Sequence, residues 1–188
     1  MRTSFLLLLA LGCATASRTS APSGETAAPS AIAGSTGPAA TAVIEPRSGS
    51  TLSGRAKFAS VPQGLGAHVE VQGAMPGQHG VHVHEKGDCS DPKAASAGGH
   101  YNPNSGAHHG GPVTPVRHGG DLGNIEVGPD GKGTLDVVVT GMSLANVADG
   151  VVGHAIVVHE KVDDLATDPA GNSGARIGCG VIQAPPLQ

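Results

Sequence analysis

Two histidines stand two residues apart between valines in the stretch Gly80-Val81-His82-Val83-His84-Glu85-Lys86-Gly87-Asp88-Cys89. On an extended backbone side chains repeat every second residue, so both imidazoles would share one face and could grip one ion together. Neutral imidazoles suit zinc, copper, iron or nickel, whereas calcium and magnesium prefer oxygen donors. Taken alone, the pair fits the polar face of an ordinary strand equally well. The choice depends on what lies downstream and on the elements that would bring it to this pair.

Composition limits those elements. The 188 residues suffice for one domain with a core and argue against two. Tryptophan is absent, aromatic residues make up 2 % and charged residues 14 %, against about 25 % charged in a typical globular protein, so the core must come from Val, Ile, Leu and Ala. Thirty glycines and fourteen prolines put many turns between short elements, which favours an all-β chain over a helical bundle. A formal charge of -4 gives no reason to expect nucleic acid as a partner.

Short apolar runs predict strands at 42–45, 54–59, 67–73 and 80–84, then at 122–127, 133–140, 155–159 and 176–183. In His68-Val69-Glu70-Val71-Gln72 the alternation is clean, so one face is packed and the other wet. Asp130-Gly131 is a turn dipeptide between two of the strands. Residues 85–120 are dense in Gly, His, Asn and Pro, and a compact domain carries so long an irregular stretch only when a metal or a disulfide ties it down. Eight strands without a convincing helix point to antiparallel closure into a barrel, which hides the edges.

The amino terminus reads differently. Arg2, the apolar run from Phe5 to Leu11 and the small residues after it have the order of a secretory signal over residues 1–16, too short in its apolar part to cross a bilayer. Two processing schemes compete: cleavage after Ala14-Thr15-Ala16, or a lipoprotein-type box, Ala10-Leu11-Gly12-Cys13, in which Cys13 becomes the lipidated first residue. The second uses the odd one of three cysteines and places a tether behind the lipid; it is the reading adopted. Residues 17–41 are almost wholly Ala, Ser, Thr, Pro and Gly and predict a flexible linker, leaving 42–188 as the domain. These features imply export to the periplasm or cell envelope, with membrane anchoring through Cys13.

Further motifs follow the first pair: Gly98-Gly99-His100-Tyr101-Asn102-Pro103, His109-Gly110-Gly111-Pro112, His118-Gly119-Gly120-Asp121-Leu122-Gly123-Asn124, Val157-Val158-His159-Glu160-Lys161 with Asp163-Asp164, and Gly171-Asn172-Ser173-Gly174-Ala175-Arg176 with Cys179-Gly180-Val181. Together with His82-Val83-His84 they resemble copper/zinc superoxide dismutases of the exported bacterial type, over essentially all of 42–183 and in the family's order. The resemblance implies an eight-stranded antiparallel Greek-key β-barrel with long metal-binding and electrostatic loops. It implies copper bound by His82, His84, His100 and His159, and zinc bound by His100, His109, His118 and Asp121, with His100 bridging the two. Three histidines and a carboxylate satisfy a closed zinc site, and four imidazoles with an open face suit redox-active copper. The implied reaction is disproportionation of superoxide to dioxygen and hydrogen peroxide, in a homodimer or a monomer.

The same resemblance gives Asp163 as the carboxylate linking His82 to His109, Cys89 and Cys179 as a disulfide pair, and Arg176 as the guanidinium that docks the anion. Next to His109 stands His108, which a one-residue slip would make the zinc ligand; the following Gly-Gly-Pro favours His109. His79 matches a position that hydrogen-bonds backbone near the copper strand, while His68 and His154 sit in no motif and read as strand or surface residues. Pro169 and Ala170 stand where many members carry a lysine and a threonine beside the channel, so anion guidance must differ; Lys86, Lys93 and Lys161 are candidate substitutes. Two rival readings remain open: a non-enzymatic exported copper/zinc-binding module on the same fold, and a copper-only enzyme, against which His109, His118 and Asp121 argue.

Overall fold

A computed structural model of the chain describes residues 30–184 except 34, 36, 106, 146 and 147. Eight strands follow in order: β1 (Ala39–Pro46), β2 (Ser53–Val61), β3 (Gly64–Gln72), β4 (Gly77–His84), β5 (Asp121–Val127), β6 (Lys132–Val139), β7 (Ala155–His159) and β8 (Arg176–Val181). Every expected strand is present, and β7 has the expected ends. The helical element among the described residues is one 3-10 turn, Ala95–Ala97.

The strands close into an antiparallel barrel in the order β1-β2-β3-β6-β5-β4-β7-β8. Neither β3 and β4 nor β6 and β7 are neighbours, so both connections cross a barrel end, as in a Greek key. Closure is completed where Glu45 and Pro46 of β1 pair with Cys179 and Gly178 of β8, which removes the last free edges. Local sequence sets the register. Gly131 adopts φ 75° in the turn between β5 and β6, in the left-handed region that the Asp-Gly dipeptide supplies. On β3 the alternation sends Val69 and Val71 into the core and His68 and Glu70 outward, where His68 pairs with Asp136 of β6 at 2.9 Å.

Phe58, Ile44, Leu52, Leu65, Leu122, Ile125, Ile156 and Ile182 fill the barrel, each buried to within 2 % of completely. Burying a side chain of this size is worth about 1.5–3 kcal/mol, which lets a core without tryptophan hold an eight-stranded barrel. Cys89 and Cys179 form a disulfide across 90 residues, worth about 4 to 5 kcal/mol in the chain-entropy model. It ties the irregular stretch 85–120 to β8.

The expected boundary at residue 42 needs correction. Ala39–Thr41 already belong to β1, paired with Ala59, Phe58 and Lys57, and Ala40 is fully buried. Upstream, the Ala31 backbone N–H donates to Asp136 (2.7 Å) and Ile32 packs over Gly66. Small residues carry little apolar signal, but a backbone ladder orders them without one. The predicted signal, Cys13 and the first part of the linker lie outside the described residues.

Candidate metal centre

Strand alternation builds the first ligand set. Val81 and Val83 of β4 point into the core, so His82 and His84 emerge on the other face, buried under the long loops. β7 pairs with β4, His82 opposite Val157, and ends at His159. The loop delivers His100: Tyr101 N–H donates to the Val83 carbonyl (2.8 Å), and His84 and His100 form an isolated antiparallel bridge. One ligand atom from each of His82, His84, His100 and His159 lies within 4.8 Å of all the others.

Hydrogen bonds decide which nitrogens are free. His84 Nδ1–H donates to the Gly98 carbonyl (2.9 Å), His159 Nδ1–H to the Gly174 carbonyl (3.3 Å) and His82 Nε2–H to Asp163 Oδ2 (2.8 Å). What remains is His84 Nε2 and His159 Nε2, 3.4 Å apart, together with His82 Nδ1 and His100 Nε2, both buried without a partner. Buried orphan nitrogens are costly, and their convergence here fits a cation.

The second set gathers on Asp121, the first residue of β5. His100 Nδ1, His109 Nδ1 and His118 Nδ1 lie 2.8, 3.1 and 3.5 Å from Asp121 Oδ1, while Oδ2 accepts the Gly110 backbone N–H (3.0 Å). His100 thus belongs to both sets through opposite ring nitrogens, its ring 3.9 Å from that of His82 and 5.6 Å from that of His118. Donor chemistry matches the two ions expected: three imidazoles and a carboxylate for zinc, four imidazoles for copper.

Behind both sets stands Asp163, fully buried, which accepts from His82 Nε2 (2.8 Å) and from His109 Nε2 (2.7 Å). Each bond fixes a ring's tautomer and leaves the opposite nitrogen free. Asn124 braces Asp163, donating to its carbonyl (2.9 Å) and accepting its N–H (2.7 Å). His79 reaches the His159 carbonyl through Nδ1 and the Met75 carbonyl through Nε2, both at 2.8 Å, and so braces the end of β7. His154 sits away from the centre, donating to the Glu85 carbonyl (2.9 Å) and stacking on Tyr101.

Arg176 is half-buried, and its Nη1 and Nη2 donate to the Ala94 and Gly98 carbonyls, each at 2.7 Å. Gly98 O therefore serves both Arg176 and His84. The guanidinium lines a groove of about 480 Å³ with Ser48, Lys93 and Gly174. Of the three lysines named from the sequence, Lys93 lines that groove, and the stem of Lys161 packs by Gly174 at its rim.

Three residues escaped sequence reasoning as contributors. Neither Asn124 on β5 nor Asp168 in the loop after β7 stood out from other polar residues, and Asp168 accepts both the His109 backbone N–H (2.7 Å) and the His108 ring (2.6 Å). Arg117 is buried beside the second set with Nε and Nη2 unpartnered, and burial lowers it from its ordinary value against the opposing pull of Asp121.

Electrostatics separate the two sets. Burial lowers His82 to about 4 and takes His84 and His159 well below their ordinary value, and it lowers His100 as well. These rings are neutral near neutral pH, with lone pairs available. Burial opposes charge on His109 too, but hydrogen bonds to Asp121 and Asp163 outweigh it and push His109 up to about 10. Asp121 and Asp163 resist burial through those same bonds and stay far below the usual carboxylate range. A metal at the second set must therefore displace a proton from His109.

Fold and site define a Greek-key barrel protein with two groups of candidate metal ligands that share one imidazole. The family model for copper/zinc superoxide dismutase matches residues 52–182. A Cu-Zn superoxide dismutase of Deinococcus radiodurans is 41 % identical over 143 residues, 71 % of this chain and 78 % of the relative. An extracellular Cu-Zn superoxide dismutase of Drosophila melanogaster is 43 % identical over 140 residues, 70 % of this chain and 75 % of the relative. The crystal structure of the clock protein EA4 superposes with a TM-score of 0.69 at 38 % identity, covering 77 % of this chain and 93 % of that one. The chain belongs to the copper/zinc superoxide dismutase family. It is an oxidoreductase acting on superoxide, with copper and zinc as cofactors.

Proposed function

We propose that His82 Nδ1, His84 Nε2, His100 Nε2 and His159 Nε2 hold the copper, and that the Nδ1 atoms of His100, His109 and His118 hold the zinc with Asp121. The observation that carries this reading is the convergence of two buried four-residue groups that share the His100 ring, with His82 Nδ1, His100 Nε2 and His118 Nδ1 left without a partner. Copper, when bound, supplies the one-electron exchange by which two superoxide ions and two protons become dioxygen and hydrogen peroxide.

The chain's own residues supply docking and a proton. Arg176 uses two N–H groups on backbone carbonyls, which fixes the guanidinium and leaves three of its five for a small anion. His100 Nε2 takes up and returns a proton while Nδ1 faces Asp121. Burial holds the His100 ring below its ordinary value. Asp163 and Asn124 keep His82 and His109 oriented throughout.

The disulfide and the extracellular Drosophila relative support export. The finer assignment, to periplasm or cell envelope with Cys13 lipidated and residues from Ala14 onward as a tether, rests on the sequence motif. The mass of the mature protein separates cleavage before Cys13 with added lipid from cleavage after Ala16.

The decisive experiment pairs metal analysis with superoxide turnover. The intact chain is expected to hold one copper and one zinc, and His159→Ala to lose turnover; near-normal turnover in that variant overturns the copper assignment. Arg176→Ala removes a charge-assisted contact worth about 1.5–3 kcal/mol, so kcat/KM falls about ten-fold or more with copper retained. An unchanged rate defeats the docking role.

A further inference from the structure

His108 and Asp168 lie beside the centre, and neither belongs to a candidate ligand group. We propose that they form a latch coupling zinc retention at His109 to the position of the 160–175 loop that walls the substrate groove, with Asp168 as the positioning residue. This rests on His109 being a zinc ligand.

One carboxylate spans two consecutive residues of the other loop. Asp168 Oδ1 accepts the His109 backbone N–H at 2.7 Å, and Oδ2 accepts His108 Nδ1–H at 2.6 Å. Five residues earlier on the same loop, Asp163 Oδ1 accepts His109 Nε2–H at 2.7 Å. His109 is therefore held by this loop at both ends, through its ring and through its backbone. Without Asp168, the backbone of His109 can swing its Nδ1 away from Asp121. In the other direction, a zinc ion that fixes His109 also fixes Asp168 and the segment leading to Gly174 and Arg176, which line the groove.

The pair is not there for packing. The His108 side chain is 81 % exposed and that of Asp168 50 %, so truncating either leaves no cavity and removes little beyond the hydrogen bonds. It also gives His108 a role distinct from that of its ligating neighbour.

The test measures zinc transfer from the fully metallated protein to excess chelator, alongside backbone hydrogen exchange over residues 160–175. Asp168→Ala is expected to release zinc about ten-fold faster, the usual scale for losing a residue that orients a ligand, and to raise exchange in that loop. Asp168→Asn keeps an acceptor for the His109 N–H and can donate to His108 in its other tautomer, so release returns to within about three-fold of the parent. His108→Ala loses one of two bonds and speeds release by about two- to three-fold. Release by Asp168→Ala within about two-fold of the parent overturns the latch, as does faster release with unchanged loop exchange. A parent chain that holds no zinc at all defeats instead the assignment of His109 on which the latch rests.

Discussion

Gly171 offers the sharpest test of how the centre is held. It sits at φ 61°, where an L side chain costs about 1–2 kcal/mol whatever the space around it. Space is also absent: a Cβ there would stand 1.8 Å from Asp163 Oδ1 and 2.6 Å from His109 Nε2. The backbone cannot yield easily, because Gly171 N–H donates to the Thr167 carbonyl (2.7 Å) and its own carbonyl accepts from Asp164 (2.9 Å). In Gly171→Ala the Asp163 carboxylate must therefore move and release a buried imidazole N–H, which costs a further 1–3 kcal/mol or so. The sum is about 2–5 kcal/mol, or roughly 2–4 °C in Tm per kcal/mol for a domain of this size. Gly141 provides the control: its φ is 76° and nothing lies within 4 Å of an added Cβ, so Gly141→Ala isolates the backbone strain. Thermal unfolding of the two metal-free variants, with chelator competition on the metallated ones, measures the difference. Gly171→Ala is expected to lose clearly more stability than Gly141→Ala and to release metal faster. Equal Tm values and equal metal retention would refute the claim that Asp163 is held in place by this glycine.

Lys93→Gln should lower the superoxide rate constant and flatten its salt dependence, because Lys93 shares the groove of Arg176; an unchanged salt slope sends the steering role elsewhere. Acid should weaken the metal-free protein earlier than its carboxylates alone predict. His82, His84 and His159 are depressed by burial, so from pH 6.5 downward, to about 4 for His82, the unfolded chain binds protons that the folded chain refuses. Their contribution is complete above 6.5 and lost as pH falls through that window. His109, raised to about 10, works in the opposite sense: the folded chain already holds its proton while the unfolded chain takes one up only as pH falls through 6.5, so one residue offsets part of what three lose. Urea unfolding at pH 7 and pH 5 checks the sign, and equal or greater stability at pH 5 contradicts it.

Much of this protein is legible in its residues. Alternation in His68-Val69-Glu70-Val71 and in Val81-His82-Val83-His84 fixes which side chains enter the core, because a strand's period of two is local chemistry. The density of Gly, Pro and His in 85–120 announced a stretch that something must tie down, and the motifs around His100, His109, His118 and His159 announced what. Ends of strands were less legible. Ala39–Thr41 are ordered by a ladder with β2, and small side chains carry no apolar signal for backbone pairing.

What the chain order cannot express is distance across the barrel. His82 and Asp163 are 81 residues apart in sequence and 2.8 Å apart in space, and only the neighbourhood of β4 with β7 makes them so. The same holds for the choice between His108 and His109. Adjacent in sequence, they face opposite ways: His109 turns its ring to Asp121 and Asp163, whereas His108 turns outward to Asp168. Residue type and spacing determined that imidazoles were present in sufficient number and on usable faces. Tertiary structure decided which ring nitrogens remain free, because that depends on carbonyls and carboxylates supplied by strands and loops far away in the chain.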